Sequence, residues 1–99
     1  MADKEVVIHA EVHAKPGQEE NLKQAILALV APSRSEPGCR QYDPHADNDD
    51  PGHFFFYERW DSMAAIEAHA ASAHFQAFAA REKELLRGPL RVVFGTRIA

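Results

Sequence analysis

The segment FFFYERW, residues 54–60, places three phenylalanines, a tyrosine and a tryptophan in seven consecutive positions. In a β-strand, successive side chains point to opposite faces of the sheet. Both faces of this strand therefore carry aromatic rings, which indicates that both are covered. One layer of helices can cover one face, and the simplest cover for the other is the sheet of an identical subunit. We therefore predict a homodimer with its sheets packed back to back. The two faces consist of Phe54, Phe56, Glu58 and Trp60 on one side, and Phe55, Tyr57 and Arg59 on the other.

The segments around this strand alternate between the two regular periodicities. Alternating apolar residues predict strands, and apolar residues at spacings of three and four predict helices. The resulting order is β-α-β-β-α-β, an α+β ferredoxin-like fold with an antiparallel sheet and its helices on one face. We expect one domain over residues 1–99. Predicted strands are 6–13, 39–45, 54–60 and 90–98; predicted helices begin near residue 18, at Asp61 or Ser62, and at Ser72, the last carrying Phe75, Phe78, Leu85 and Leu86.

Prolines and small residues mark where the predicted helices end. Pro32 cannot donate a backbone hydrogen bond and its ring clashes with the carbonyl of Ala28, so the first helix should kink or stop there. The Pro37-Gly38 pair ends it in any case. A second break is expected near residues 71–72, where Ser72 can cap a new helix.

Composition excludes several classes of function. The 99 residues carry a formal charge of −4 and contain no dense cluster of lysine or arginine, so a nucleic-acid partner is not expected. Cys39 is the single cysteine, which excludes an intrachain disulfide and suits a reducing compartment. The first residues contain neither a secretory signal nor a membrane span. We expect a cytoplasmic protein with no membrane partner.

His9, Glu11 and His13 share one face of the first predicted strand and invite a metal-site interpretation. Next neighbours on such a face lie about 6.5 to 7 Å apart, so these three cannot converge on one ion unless other elements contribute. A polar row facing solvent or a second subunit is the expectation, and no metal site is predicted. The acidic loop 46–52 also fails the calcium-loop pattern, because the fifth position counted from Asp47 is Pro51.

His69 and His74 are the best candidates for chemistry. A helix break near residue 71 would let both side chains turn toward the sheet, where Glu58 lies among aromatic residues. A buried histidine can accept a proton near neutral pH, and a buried carboxylate requires a partner. Together these groups predict an apolar pocket with a few polar groups. The structural alternative is that His69 bonds a backbone carbonyl and His74 is half exposed.

Short motifs along the whole chain resemble those of the antibiotic biosynthesis monooxygenase family, which includes quinol monooxygenases with a dimeric α+β barrel fold. Each motif is short, but all occur in order and at matching spacing. They are Ala14-Lys15-Pro16-Gly17 with Glu19 and Glu20, Pro32-Ser33-Arg34, Glu36-Pro37-Gly38-Cys39 with Tyr42, Tyr57-Glu58-x-Trp60, Ala68-His69 and Ser72-x-His74-Phe75.

The resemblance implies oxidation of a phenolic or quinol-like aromatic substrate by O2 without metal, flavin or haem, so no cofactor is expected. A base would remove a phenolic proton, and the anion would react with O2 in a dry pocket. His69 is the first candidate for the base and His74 the second. Residues expected to hold the ring are Trp60, Phe56 and Phe75, and Tyr42 or Glu58 is expected to orient its oxygen.

Three other functions are alternatives for a chain of this family. The haem-degrading branch of the family uses an asparagine on its first strand, where this chain has His9 and Glu11. A relative that handles phosphorylated signal sugars would require a phosphate site, and no basic pocket is evident. A non-catalytic dimer that binds a small aromatic compound is the alternative of a different class.

Overall fold

The computed structural model describes residues 4–99, which form one four-stranded sheet and four helices. The predicted β-α-β-β-α-β order is confirmed, with the second helical region divided into three. The elements are β1 (Val6–His13), α1 (Glu19–Arg34), β2 (Cys39–Ala46), β3 (His53–Trp60), α2 (Met63–Ala70), α3 (Ala73–Ala79), α4 (Glu82–Leu85) and β4 (Arg91–Gly95).

The sheet is antiparallel, with strand order β2-β3-β1-β4. β1 therefore lies inside the sheet between β3 and β4, and Ala10 has Phe56 and Val92 as its two cross-strand partners. Strand alternation sends the even-numbered residues of β1 and β3 toward the helices. The buried members of this face are Ile8, Ala10, Val12, Phe54, Phe56, Glu58 and Trp60.

The turns and caps follow local chemistry. Gly17 has φ +86°, a left-handed conformation in which a side chain is strained, and it turns the chain from β1 into α1. The hydroxyls of Ser62 and Ser72 accept hydrogen bonds from the backbone N–H of Ala65 and Phe75, each at 3.2 Å. The predicted break between α2 and α3 is therefore confirmed, and a serine begins each helix.

Three boundaries refine the sequence prediction. Of the two effects predicted for Pro32, a kink or a stop, the stop does not occur, since α1 continues through Pro32 to Arg34. Pro32 lies within one turn of the helix end. The backbone hydrogen bond that its missing N–H removes is therefore followed by few others in α1, and its loss does not divide the helix. β4 ends at Gly95 rather than near Ile98, because its hydrogen-bonded register with β1 extends only from Arg91 to Gly95. The helix predicted after Ser72 is divided into α3 and α4.

The second face of the sheet is open in residues 4–99. Phe55 and Tyr57 lie on this face, as expected from strand alternation, and Tyr57 is 40% exposed. Val93 on β4 is the cross-strand partner of His9 and is 60% exposed. No helix within residues 4–99 is long and apolar enough to cross a membrane.

Candidate active site

A cavity of about 130 Å³ lies between the helix-side face of the sheet and helices α1, α2 and α3. Its walls within residues 4–99 are mostly aliphatic and aromatic. Among residues 4–99, three polar side chains line it: Tyr42 from β2, Glu58 from β3 and His69 from α2. A small apolar enclosure with a few converging polar groups is the usual form of a small-molecule site.

Glu58 is the acidic group of the cavity. Its side chain lies on the helix side of β3 and only 5% of the residue is exposed. Its Oε1 accepts a hydrogen bond of 2.8 Å from the indole Nε1–H of Trp60. Burial raises the pKa of this carboxyl from 4.5 to about 7, with Trp60 acting in the opposite direction and the charge of Glu36 adding to the rise. Glu58 can therefore exchange a proton near neutral pH.

His69, Glu36 and His74 form a hydrogen-bonded triad beside the cavity. The Nδ1 of His69 lies 2.6 Å from Glu36 Oε2, and the Nε2 of His74 lies 2.8 Å from the same oxygen. A carboxylate oxygen accepts from both, so each of these ring nitrogens carries its hydrogen. The remaining nitrogen of His69, Nε2, is then an acceptor on a ring that lines the cavity.

The chain builds this triad from three local features. Glu36 lies in the connection from α1 to β2, immediately before Pro37-Gly38. The Ser72 hydroxyl donates to the backbone carbonyl of His69 at 2.6 Å while capping α3, which fixes the break between the two histidines. A Cβ built on Gly38 would lie 2.4 Å from Ala65 Cβ, so glycine is what allows α2 to approach the start of β2.

Tyr42 is the third polar group, and it is 2% exposed. Its ring centroid lies 5.6 Å from those of both Phe56 and His69. Burial, with the nearby charge of Glu58, raises the pKa of its hydroxyl well above the ordinary value. Tyr42 therefore remains a neutral hydroxyl at any physiological pH.

The predicted site residues occupy one region but not equivalent positions. Tyr42, Phe56, Glu58, His69 and Phe75 all line the cavity. Two others do not line it. Trp60 is fully buried with its ring centroid 4.7 Å from that of His69, and His74 contacts the triad through Glu36.

Glu36 is the site residue that sequence reasoning missed. The structural alternative for His69 is wrong, because its ring bonds this carboxylate and not a backbone carbonyl. The side chain of His74 is 22% exposed, less than the half-exposed alternative assumed. No sequence spacing connects Glu36 to either histidine, since 33 and 38 residues separate them. The sequence signal that could have identified Glu36 as a site residue is its position before Pro37-Gly38, within one of the motifs that resemble the family.

The fold and cavity together define a class: small ferredoxin-like α+β proteins with an apolar site between the sheet and the helices. A model of the antibiotic biosynthesis monooxygenase family matches residues 5–81. The chain belongs to the antibiotic biosynthesis monooxygenase family, as its short motifs suggested.

Individual relatives agree with this assignment. The protein named "Putative monooxygenase YcnE" of Bacillus subtilis is 39% identical over 88 residues, covering 89% of this chain and 93% of the relative. "Probable quinol monooxygenase YgiN" of Escherichia coli is 29% identical, covering 89% and 95%. The crystal structure of PA3566 from Pseudomonas aeruginosa superposes with a TM-score of 0.94 at 36% identity and covers 100% of this chain and 99% of its own.

Proposed function

We propose that this protein is a cofactor-independent monooxygenase that oxidises a small phenol or hydroquinone with O2. The family membership and the names of its relatives support an oxidoreductase. The observation that carries the finer proposal is the His69–Glu36 pair. An imidazole that lines an apolar cavity is bonded through Nδ1 to a carboxylate, which holds that nitrogen in its protonated form.

In the proposed reaction, His69 Nε2 accepts the phenolic proton. Glu36 stabilises the imidazolium that forms, because its carboxylate already bonds Nδ1–H. The phenolate transfers one electron to O2, giving a substrate radical and superoxide. These recombine at a ring carbon, and cleavage of the O–O bond with loss of water leaves a quinone. One phenol and one O2 thus give one quinone and one water.

Glu58 and Tyr42 are proposed to orient the substrate oxygen. The buried hydroxyl of Tyr42 is a permanent donor to a phenolate. Glu58, with its pKa raised to about 7 by burial, donates when protonated. The aromatic rings of Phe56 and Phe75 would hold the substrate ring, with Trp60 buried behind Glu58 and fixing that carboxyl. His74 would act as a positioning residue through Glu36.

The size of the cavity favours a single-ring substrate. Its volume of about 130 Å³ is close to the ~150 Å³ of an engineered cavity that binds benzene. Val92 and Phe94 line one side and are 39% and 54% exposed, so larger substituents would extend past the edge strand β4. Monocyclic hydroquinones should therefore react faster than polycyclic phenols.

A homodimer remains part of this proposal. The open face of the sheet carries Phe55, Tyr57 and Val93, and a second copy would remove these apolar side chains from water. Sedimentation should give twice the mass of the chain, and Tyr57→Lys should shift the mass toward one chain.

The direct test is O2 consumption by chelator-treated protein over a panel of monocyclic and polycyclic hydroquinones, corrected for autoxidation. Wild type should consume O2, and His69→Ala should reduce the rate at least tenfold while ligand binding persists. Glu67→Gln, a change of an exposed α2 residue, is the control and should retain the wild-type rate.

Two outcomes would contradict the proposal. Uptake that chelation removes would indicate a metal-dependent reaction. Saturable binding of aromatic compounds with no uptake above autoxidation would favour the alternative, a dimer that only binds a small aromatic ligand.

A further inference from the structure

Two histidines and a carboxylate meet on the open face of the sheet, on the side opposite the cavity. Glu11 and His13 lie on β1, and His53, the first residue of β3, is the cross-strand partner of His13. One ligand-type atom from each of the three lies within 4.8 Å of the others. His53 Nε2 is 3.9 Å from Glu11 Oε1, and the two imidazole rings stack with centroids 4.3 Å apart.

The second nitrogen of His53 fixes which atom faces the cluster. His53 Nδ1 lies 2.8 Å from Asp47 Oδ2, and because a carboxylate accepts, Nδ1 carries the hydrogen. In the neutral ring, Nε2 is then a lone-pair nitrogen. It is buried and has no hydrogen-bond partner within residues 4–99. A buried polar atom without a partner is unfavourable. A bound ion that accepts the lone pair of this nitrogen would remove that cost.

We propose that Glu11, His13 and His53 bind one divalent transition-metal ion, with zinc fitting the donor set. Two imidazoles and one carboxylate are a common three-residue zinc set that leaves a fourth position open. The Asp47–His53 contact is the carboxylate–histidine pair that orients a ligand ring and raises its basicity.

Zinc binding requires rotation of side chains within the cluster. Tetrahedral ligand atoms at about 2.0–2.1 Å from zinc lie about 3.3 Å from one another, and the His53–Glu11 atoms are at 3.9 Å. The stacked rings must rotate so that both lone pairs meet, a motion about broad terminal torsions. Glu11 is available, because Arg91, its partner on β4, forms no ion pair with it within residues 4–99.

A second cluster, Glu36, His69 and His74, also brings three ligand-type atoms together. There, however, one carboxylate oxygen already accepts bonds of 2.6 and 2.8 Å from both rings. No ring nitrogen of that triad is buried without a partner, in contrast to His53. The unsatisfied nitrogen is the reason the ion is assigned to the open face.

The test is zinc and cobalt binding to the full chain after chelator treatment, with zinc affinity from calorimetry and tetrahedral cobalt from its visible absorption. Wild type should bind one ion per chain, and His53→Ala and Glu11→Gln should each weaken binding at least 100-fold. Asp47→Asn keeps every ligand but loses the orienting charge and should weaken zinc binding about 10- to 100-fold. His45→Ala is the control, because His45 stacks on Phe55 of the same face outside the cluster.

Absence of stoichiometric zinc binding to wild type would overturn the proposal. Binding that survives in His53→Ala but disappears in Glu36→Gln would also overturn it, since the ion would then lie in the cavity triad. Circular dichroism of the metal-free variants verifies folding. If His53→Ala does not fold, Glu11→Gln and Asp47→Asn carry the test, and unchanged affinity in both would refute the site.

Discussion

Replacing Glu58 by glutamine should abolish a pH dependence of stability that its burial creates. In the folded chain the pKa of this carboxyl is about 7, against 4.5 for an exposed glutamate. The folded state therefore holds the proton more tightly than the unfolded state. Its contribution to the free energy of unfolding is fully present below pH 4.5 and is lost as the pH rises to about 7. Glutamine fits the same space, and its amide oxygen can still accept from Trp60.

The difference between the two pKa values corresponds to roughly 3 kcal/mol over the full titration, of which about 2.5 kcal/mol falls between pH 5 and pH 8. Relative to wild type, Glu58→Gln should thus gain about 2.5 kcal/mol of unfolding free energy across that interval. The pKa values of Glu5, Asp43 and Asp47 are lowered by hydrogen bonds, so these groups titrate at lower pH.

Urea unfolding at several pH values measures this difference. Trp60 is the single tryptophan, is fully buried and bonds Glu58, so its fluorescence reports unfolding of the site. Glu67→Gln removes an exposed carboxyl from α2 and should give a curve parallel to wild type. If the wild-type and Glu58→Gln free energies also remain parallel from pH 5 to pH 8, Glu58 does not titrate as its burial requires and the reasoning is refuted.

Two further predictions concern Glu36 and Gly38, which both lie in the connection from α1 to β2. Glu36→Gln should lower kcat for the proposed oxidation at least tenfold with little change in KM, since it removes the charge that stabilises the His69 imidazolium; equal kcat in steady-state O2 uptake would exclude that role. Gly38→Ala should destabilise the fold by about 1–3 kcal/mol in chemical denaturation, because the new Cβ meets Ala65. Gly88→Ala, with open space around it, is the control, and an equal effect of both changes would contradict the packing argument.

Sequence periodicity was sufficient for the order of the elements and for the break between α2 and α3. Alternation in residues 54–60 separated Phe56 and Glu58 from Phe55 and Tyr57, and the structure places these two sets on opposite faces. Which set faces the helices could not be derived from one strand, because both sets are aromatic. The answer depends on the register between β1 and β3, a contact between segments far apart in the chain.

The two side-chain clusters were decided by tertiary structure alone. His69 and His74 were identified as candidates from local pattern, but Glu36 reaches them only because α2 packs against the start of β2 at Gly38. Likewise His9, Glu11 and His13 could not converge along one strand, and His53 joins Glu11 and His13 across the sheet. Local propensity and periodicity are properties of neighbouring residues and can be read from the sequence. Proximity between residues 33 or more positions apart is set by how the elements pack.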